Sequence, residues 1–112
     1  MYDRKERLTS LIQQIISECV LFKIKDPRIG MVSINSVQLN SDKSIAKVFF
    51  SSLDGKPEDS LNGLTSARGY IRTVLSKEMK LRRIPEVRFY HDDSAEFVQK
   101  ITDIVNKDHE ED

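Results

Sequence analysis

The chain has 112 residues, enough for one small domain, and its composition, 38% hydrophobic and 32% charged, is that of a globular protein. The sequence has no apolar run near the roughly 20 residues of a membrane span, no signal-peptide pattern, and only one cysteine, Cys19, so an internal disulfide is excluded. We therefore expect a cytoplasmic protein without membrane attachment.

The formal net charge of zero conceals an uneven distribution along the chain. Residues 1–67 carry nine basic and eight acidic side chains, whereas residues 68–88 carry seven basic and two acidic ones. Residues 89–112 carry two basic and eight acidic side chains. The basic segment at 68–88 is a candidate surface for a polyanion, although a solvated helix face would have a similar composition.

The first predicted element is an amphipathic helix over residues 4–22. Its apolar side chains recur every three or four residues and trace one helix face. They are Leu8, Leu11, Ile12, Ile15, Ile16, Cys19 and Val20. Pro27 keeps Asp26 out of helical geometry, so the helix is expected to end within residues 23–28.

Two strands with a short connection follow, over residues 31–39 and 45–53. The alternation of the first strand slips near Asn35 and Ser36, which indicates a β-bulge. Turn residues at 40–43 predict an antiparallel hairpin. In the second strand, alternation places three apolar residues on one face and three residues on the other: Ala46, Val48 and Phe50 against Ile45, Lys47 and Phe49.

A helical region then extends from Pro57, a favoured first helical residue, to Pro85. Its apolar residues favour two helices, with Leu61, Leu64 and Ala67 in the first and Tyr70, Ile71, Val74, Leu75 and Met79 in the second. Ala67-Arg68-Gly69 lies between them, and Gly69 is either tolerated in one long helix or part of a break. Residues 87–90 alternate as a short third strand.

The last predicted helix begins with a capping box over residues 93–96. Its apolar stripe consists of Phe97, Val98, Ile101, Ile104 and Val105. Residues 107–112 form an acidic tail that we expect to be disordered. The order α-β-β-α-α-β-α predicts one α+β domain over residues 1–106, with a three-stranded mixed sheet, helices packed on one face, and a right-handed crossover between its parallel strands.

Residues with catalytic or metal-binding chemistry are scarce. Cys19 lies on the apolar stripe, which favours a buried structural thiol over a nucleophile. His91 with Asp92 and Asp93 could begin a metal site, but the other ligands are missing, so a strand end followed by a helix cap is the better interpretation. We therefore expect no catalytic activity, no metal and no cofactor.

The basic segment remains as the candidate functional surface. Its cations are Arg68, Arg72, Lys77, Lys80, Arg82, Arg83 and Arg88. Guanidinium groups suit bidentate phosphate contacts. Three further cations extend this surface if the first loop folds near the helix pair: Lys23, Lys25 and Arg28. In a structural alternative, Arg82 and Arg83 pair with Glu78 and Glu86 and serve only the fold.

Several segments together resemble the bacterial ribosome-binding factor A family. A helix pair broken near a glycine between parallel strands is similar to the core of a KH domain, where nucleic-acid binders carry a Gly-x-x-Gly loop. Ala67-Arg68-Gly69 instead resembles the Ala-x-Gly kink of the family. The other matching segments are Asp26-Pro27-Arg28, residues 37–42, Ala46-Lys47-Val48-Phe49, residues 81–89 and Asp92-Asp93-Ser94. The resemblance covers about residues 4–105, with Val87 where leucine is usual.

The resemblance implies a KH-like type II domain, order α-β-β-α-kink-α-β-α, with Ala67 and Gly69 as the structural kink. It also implies a non-catalytic, bacterial assembly factor that binds the free small ribosomal subunit and 16S rRNA. Such a factor assists late 16S rRNA maturation and 5′-end processing, above all in the cold. We expect the protein to be a monomer. We also expect it to contact RNA with the side chains of the basic segment, because only one glycine remains at the kink and the backbone cannot approach the RNA as it does at a Gly-x-x-Gly loop.

Two other functions stay open. A protein-interaction module that uses the sheet face or the acidic tail would leave the basic segment incidental, and its binding would respond weakly to salt. A small RNA-processing enzyme would cleave precursor RNA by itself, and the missing catalytic residues argue against it.

Overall fold

The computed structural model describes residues 4–92, so the predicted last helix and the acidic tail lie outside the described residues. In chain order the elements are α1 (Arg4–Glu18), a π-helical turn (Cys19–Lys23), β1 (Val32–Leu39), β2 (Ile45–Ser52), α2 (Pro57–Ser66), α3 (Arg68–Met79) and β3 (Glu86–His91). The predicted α+β class and the order of elements through the third strand are confirmed.

The sheet has the strand order β1-β2-β3 and is mixed, as predicted. β1 pairs antiparallel with β2, and β2 pairs parallel with β3. The register of the first pair shifts between Ile34 and Ser36, which confirms the predicted bulge. The extra residue, Asn35, turns its amide to the end of the sheet, where Nδ2 donates to Ser51 Oγ at 2.6 Å and to Asp92 Oδ2 at 3.2 Å.

One face of the sheet forms the core together with all three α-helices. The predicted alternation of β2 is confirmed, because Ala46, Val48 and Phe50 are fully buried. Val87 and Phe89 of β3 are buried on the same face. The helix side chains that join this core include Ile12, Ile15, Ile16, Leu64, Ile71, Val74 and Leu75.

Two residues assigned to the apolar helix stripes are wrong as core positions. Leu11 is 43% exposed and Tyr70 is 48% exposed. Each directly precedes a fully buried isoleucine, Ile12 or Ile71, and is therefore turned about 100° away from it around the helix. Helical spacing alone assigns residues at the margin of an apolar stripe to the core. In the structure the buried face of each helix is narrower than the stripe, so these two residues lie outside the core.

The loop after α1 packs against α2. The buried hydroxyl of Ser60 donates to the backbone oxygen of Ile29 at 2.6 Å, across 31 residues of sequence. Ile29 is buried, and it faces Gly63 one turn further along α2. This contact fixes the first loop beside the helix pair.

Within residues 4–92, no helix is long and apolar enough to cross a membrane.

We expect Gly63→Ala to destabilise the fold. The new Cβ would lie 2.6 Å from Ile29 Cγ1 and 3.1 Å from the Ile29 backbone nitrogen, so the first loop would have to move. The free energy of unfolding should fall by about 1–3 kcal/mol in urea denaturation, the usual cost of overpacking.

The matched control is Gly69→Ala, because a Cβ at this α3 position meets no atom within 4 Å. Replacing a helical glycine by alanine should raise the free energy of unfolding, by up to about 1 kcal/mol. Equal effects of the two substitutions would contradict the close approach assigned to Gly63.

Candidate nucleic-acid interface

The two helices meet at Ala67, which ends α2 and precedes α3. Its φ of −88° and ψ of 0° depart from regular helical values, so α2 and α3 are not one continuous helix. The Ala67 N–H donates to the oxygens of Gly63 and Leu64 at 3.2 and 3.1 Å, and its own oxygen accepts from the Ile71 N–H at 3.0 Å. The backbone groups are thus satisfied through the kink. Gly69 lies inside α3, two residues beyond the break.

A cleft of about 250 Å³ opens beside this kink. Its lining residues are Arg68, Gly69, Arg72, Glu86 and Val87. Arg68 Nε donates to the Thr65 oxygen at 3.2 Å and Arg72 Nη2 donates to the Ile84 oxygen at 3.3 Å. These bonds hold both guanidinium groups at the cleft. Because Gly69 has no side chain and its Cβ direction is open, a ligand can approach the first turn of α3 closely.

Four further cations continue from α3 into the loop that leads to β3. All four are exposed: Lys77, Lys80, Arg82 and Arg83. Arg83 lies near the hairpin turn between β1 and β2. There the Ser44 hydroxyl and backbone N–H lower the pKa of Asp42, and the positive charge of Arg83 adds a smaller lowering of that pKa. This loop therefore presents positive charge toward solvent between the kink and the hairpin turn.

The carboxylates offered as partners for Arg82 and Arg83 bind other cations. Glu78 Oε1 lies 3.5 Å from Lys23 Nζ, and Glu86 Oε2 lies 3.1 Å from Arg88 Nη2. Among residues 4–92, Arg82 and Arg83 form no ion pair. The two arginines are therefore available to an external anion.

The structure brings the first-loop cations to the helix pair. The Lys23–Glu78 contact joins the end of the π-helical turn to α3. Arg28 lies beside α2, since a Cβ at Gly63 would be 3.3 Å from Arg28 Cβ. Its guanidinium is bound to Asp26 at 2.7 Å, and its side-chain and backbone hydrogen bonds lower the pKa of Asp26. Lys25 is exposed between them.

Arg88 is separated from the other cations of the basic segment. Its neighbours Val87 and Phe89 point into the core, so Arg88 lies on the opposite, open face of the sheet. Its register partner on that face is Lys47 of β2. The basic segment is therefore divided between the helix pair with its exit loop and the open sheet face.

The open sheet face also carries aromatic residues that sequence reasoning did not include in a site. Phe49 and Tyr90 are register partners on β2 and β3, and their ring centroids are 5.6 Å apart in a stacked arrangement. The alternation of β2 already put Phe49 on this face. The parallel pairing of β2 with β3 was predicted, but the register that places Phe49 opposite Tyr90 was not, because strand alternation does not determine register.

Cys19 and His91, the two residues considered for catalysis or metal binding, both pack against the core. Cys19 is fully buried, which confirms the structural thiol, and burial raises the pKa of that thiol. The His91 ring packs against Phe50 at 5.6 Å, consistent with a strand-end role, whereas Asp93 lies outside the described residues. Within the part of the chain that the structure describes, no group of three or more side chains could hold a metal ion.

Comparison with known proteins gives one consistent family. The sequence model described as "Ribosome-binding factor A" matches residues 4–105. Ribosome-binding factor A of Natranaerobius thermophilus is 41% identical over 106 residues, which cover 93% of this chain and 81% of that protein.

Solved structures agree on the fold. The crystal structure of ribosome-binding factor A from Thermus thermophilus superposes with a TM-score of 0.73 at 23% identity, covering 78% of this chain and 93% of that one. A homology model of the Thermus thermophilus protein, fitted into a cryo-electron-microscopy map of its 30S complex, superposes with a TM-score of 0.65 at 21% identity and covers 76% and 91% of the two chains.

Lys80 offers a test of backbone strain at the end of α3. It ends α3 in the left-handed conformation, with φ 49° and ψ 37°, where glycine is the usual residue. Lys80→Gly should raise the free energy of unfolding by about 0.5–1 kcal/mol in urea denaturation, because it removes backbone strain, while removing one cation from the candidate surface. Lys77→Gln removes a charge from α3 without relieving strain and is the control. A Lys80→Gly protein that is less stable than wild type would contradict the assignment of backbone strain to Lys80.

Proposed function

The chain belongs to the ribosome-binding factor A family, and on that premise we propose that it binds the free small ribosomal subunit through 16S rRNA. In this proposal it acts as a monomer in the cytoplasm and catalyses no reaction. It assists late 16S rRNA maturation, including processing of the 5′ end, and its contribution is largest in the cold. The reported 30S complex of the Thermus thermophilus protein supports the choice of the small subunit.

The observation that carries this proposal is the concentration, at the kink and along the loop to β3, of arginines that form no ion pair among residues 4–92. Arg68 and Arg72 line an open cleft, and Arg82 and Arg83 have no ion-pair partner among residues 4–92. Guanidinium groups bind phosphate through two parallel hydrogen bonds. We therefore assign this surface, the kink and exit-loop surface, to the RNA backbone.

The chemistry of the kink favours side-chain contacts over a backbone clamp. A Gly-x-x-Gly loop lets the protein backbone touch the phosphates because it carries no side chains at either glycine. Here only Gly69 leaves such an opening, and the arginines beside it extend into the cleft. Side-chain contacts to phosphates depend on where the phosphates lie, so they recognise the shape of folded RNA and not its base sequence.

A non-catalytic factor can still direct RNA maturation by shifting conformational populations. A protein that binds one arrangement of the RNA more tightly favours it by the difference between its two affinities. In the cold, competing RNA pairings persist longer, so a binder of this kind has its largest effect there. This mechanism needs a well-placed surface of positive charge and no reactive group.

Charge reversal at the kink and exit-loop surface should abolish subunit binding. We expect the triple variant Arg72→Glu, Arg82→Glu, Arg83→Glu to bind small subunits at least about a hundredfold more weakly than wild type, because phosphate contacts supply most of the affinity. Co-sedimentation with purified small, large and joined subunits measures the effect.

A matched triple reversal at the start of α1 controls for net charge: Arg4→Glu, Lys5→Glu and Arg7→Glu. Acidic residues are favourable at a helix N-terminus, so this variant should fold and should still sediment with the particles. If the kink and exit-loop variant sediments like wild type, the proposed surface is wrong.

Salt dependence separates RNA binding from the alternative of a protein-interaction module. The logarithm of the affinity should fall linearly with the logarithm of the salt concentration, and the single variant Arg82→Gln should reduce the slope by about 1. Titration of fluorescently labelled protein with small subunits at several salt concentrations measures both values. An affinity that does not change with salt would favour an apolar protein interface instead.

A further inference from the structure

The open face of the sheet carries an aromatic pair that the core does not use. Phe49 and Tyr90 stack on each other, with ring centroids 5.6 Å apart and ring planes inclined by 28°. Tyr90 is 38% exposed and Phe49 is half-buried, and among residues 4–92 the helices α1, α2 and α3 cover the opposite face. The two rings therefore form one aromatic surface that faces solvent.

Cationic and amide side chains flank this aromatic surface. Lys47 and Arg88 are register partners directly beside Phe49 and Tyr90. Lys47 and Arg88 also line a cleft of about 300 Å³ with Gln38, Leu39, Asn40 and Ile45. Within residues 4–92, the acidic side chain that pairs with these cations is Glu86, which binds Arg88 at 3.1 Å. Positive charge, amides and exposed rings thus lie on one surface.

This face is continuous with the kink cleft. In the part of the chain that the structure describes, β3 is an edge strand of the three-stranded sheet and no further strand lies beyond it. Glu86, the first residue of β3, lines the kink cleft on one side and binds Arg88 of the open face on the other. A polymer bound at the kink can therefore pass around β3 and reach the rings.

We propose that this open face is a second RNA-binding surface, on which unpaired bases stack against Phe49 and Tyr90 while Lys47 and Arg88 contact the phosphates. The inference rests on the proposed function, since it extends the same RNA beyond the kink. Single strands bind in this way wherever aromatic rings lie in a positively charged groove, because every base has a face that stacks.

The test compares strands with and without bases. Fluorescence anisotropy measures the binding of the full chain to labelled oligouridine and to an abasic strand of equal length. Phe49→Leu and Tyr90→Leu leave an apolar side chain but remove the stacking rings, so each should weaken oligouridine binding about fivefold or more. Binding to the abasic strand should not change.

Phe22→Leu is the control, because Phe22 is 77% exposed on the π-helical turn, outside the sheet face. It should bind both strands like wild type. If Phe49→Leu and Tyr90→Leu bind oligouridine like wild type, the sheet-face inference is wrong. In that case the proposed function still stands if the kink and exit-loop triple variant loses subunit binding, and both are wrong if that variant also binds.

A second measurement uses the unaltered protein. Oligouridine that contains 4-thiouridine is irradiated on the full chain, and the crosslinked peptides are identified by mass spectrometry. Crosslinks at residues 47–50 and 88–91 support the inference. Crosslinks confined to α3 and the loop before β3, or a crosslink pattern that includes no sheet residue, overturn it.

Discussion

The parallel pairing of β2 with β3 is the constraint on which the rest of the structure depends. Parallel neighbours cannot be joined by a tight turn, so the chain must return along the sheet through a crossover. Here the crossover is the helix pair α2 and α3, which covers one face and buries Leu64, Ile71 and Leu75 against it. The kink cleft lies where this crossover approaches the start of β3. The surface proposed to bind RNA is thus built from the connection that the topology requires.

The same constraint determines which face of the sheet stays open. α1 shares the covered face with the crossover helices, so Ala46, Val48 and Phe50 are buried while Lys47 and Phe49 point the other way. Strand periodicity leaves no freedom here, since a shift of one residue would exchange the two faces. The bulge at Asn35 keeps β1 in register with this division.

Elements and faces were predictable from the sequence because their signals are local. Each signal comes from residues close together in the sequence. These signals are the helical spacing, the strand alternation, the bulge and Pro57. The placement of the first loop was not predictable, because it rests on the hydrogen bond from Ser60 to Ile29, across 31 residues. The position of Arg88 on the open face could have been inferred, since its neighbours Val87 and Phe89 are apolar. The contiguity of the charges along the chain predicts one surface, whereas the strand alternation places Arg88 on the other face of the sheet.

The fold also makes the cations of this chain unequal as candidate ligands for RNA phosphates. Lys23, Arg28 and Arg88 each have a carboxylate within 3.5 Å, so binding a phosphate must first compete with that partner. Exposed pairs of this kind contribute little to stability, yet they reduce the local positive potential. Arg82 and Arg83 follow a strained left-handed Lys80 and lack such partners within residues 4–92. Within residues 4–92, arginines without ion pairs therefore lie along the exit of α3, and in the proposed complex the paired cations around them would limit where a bound strand extends.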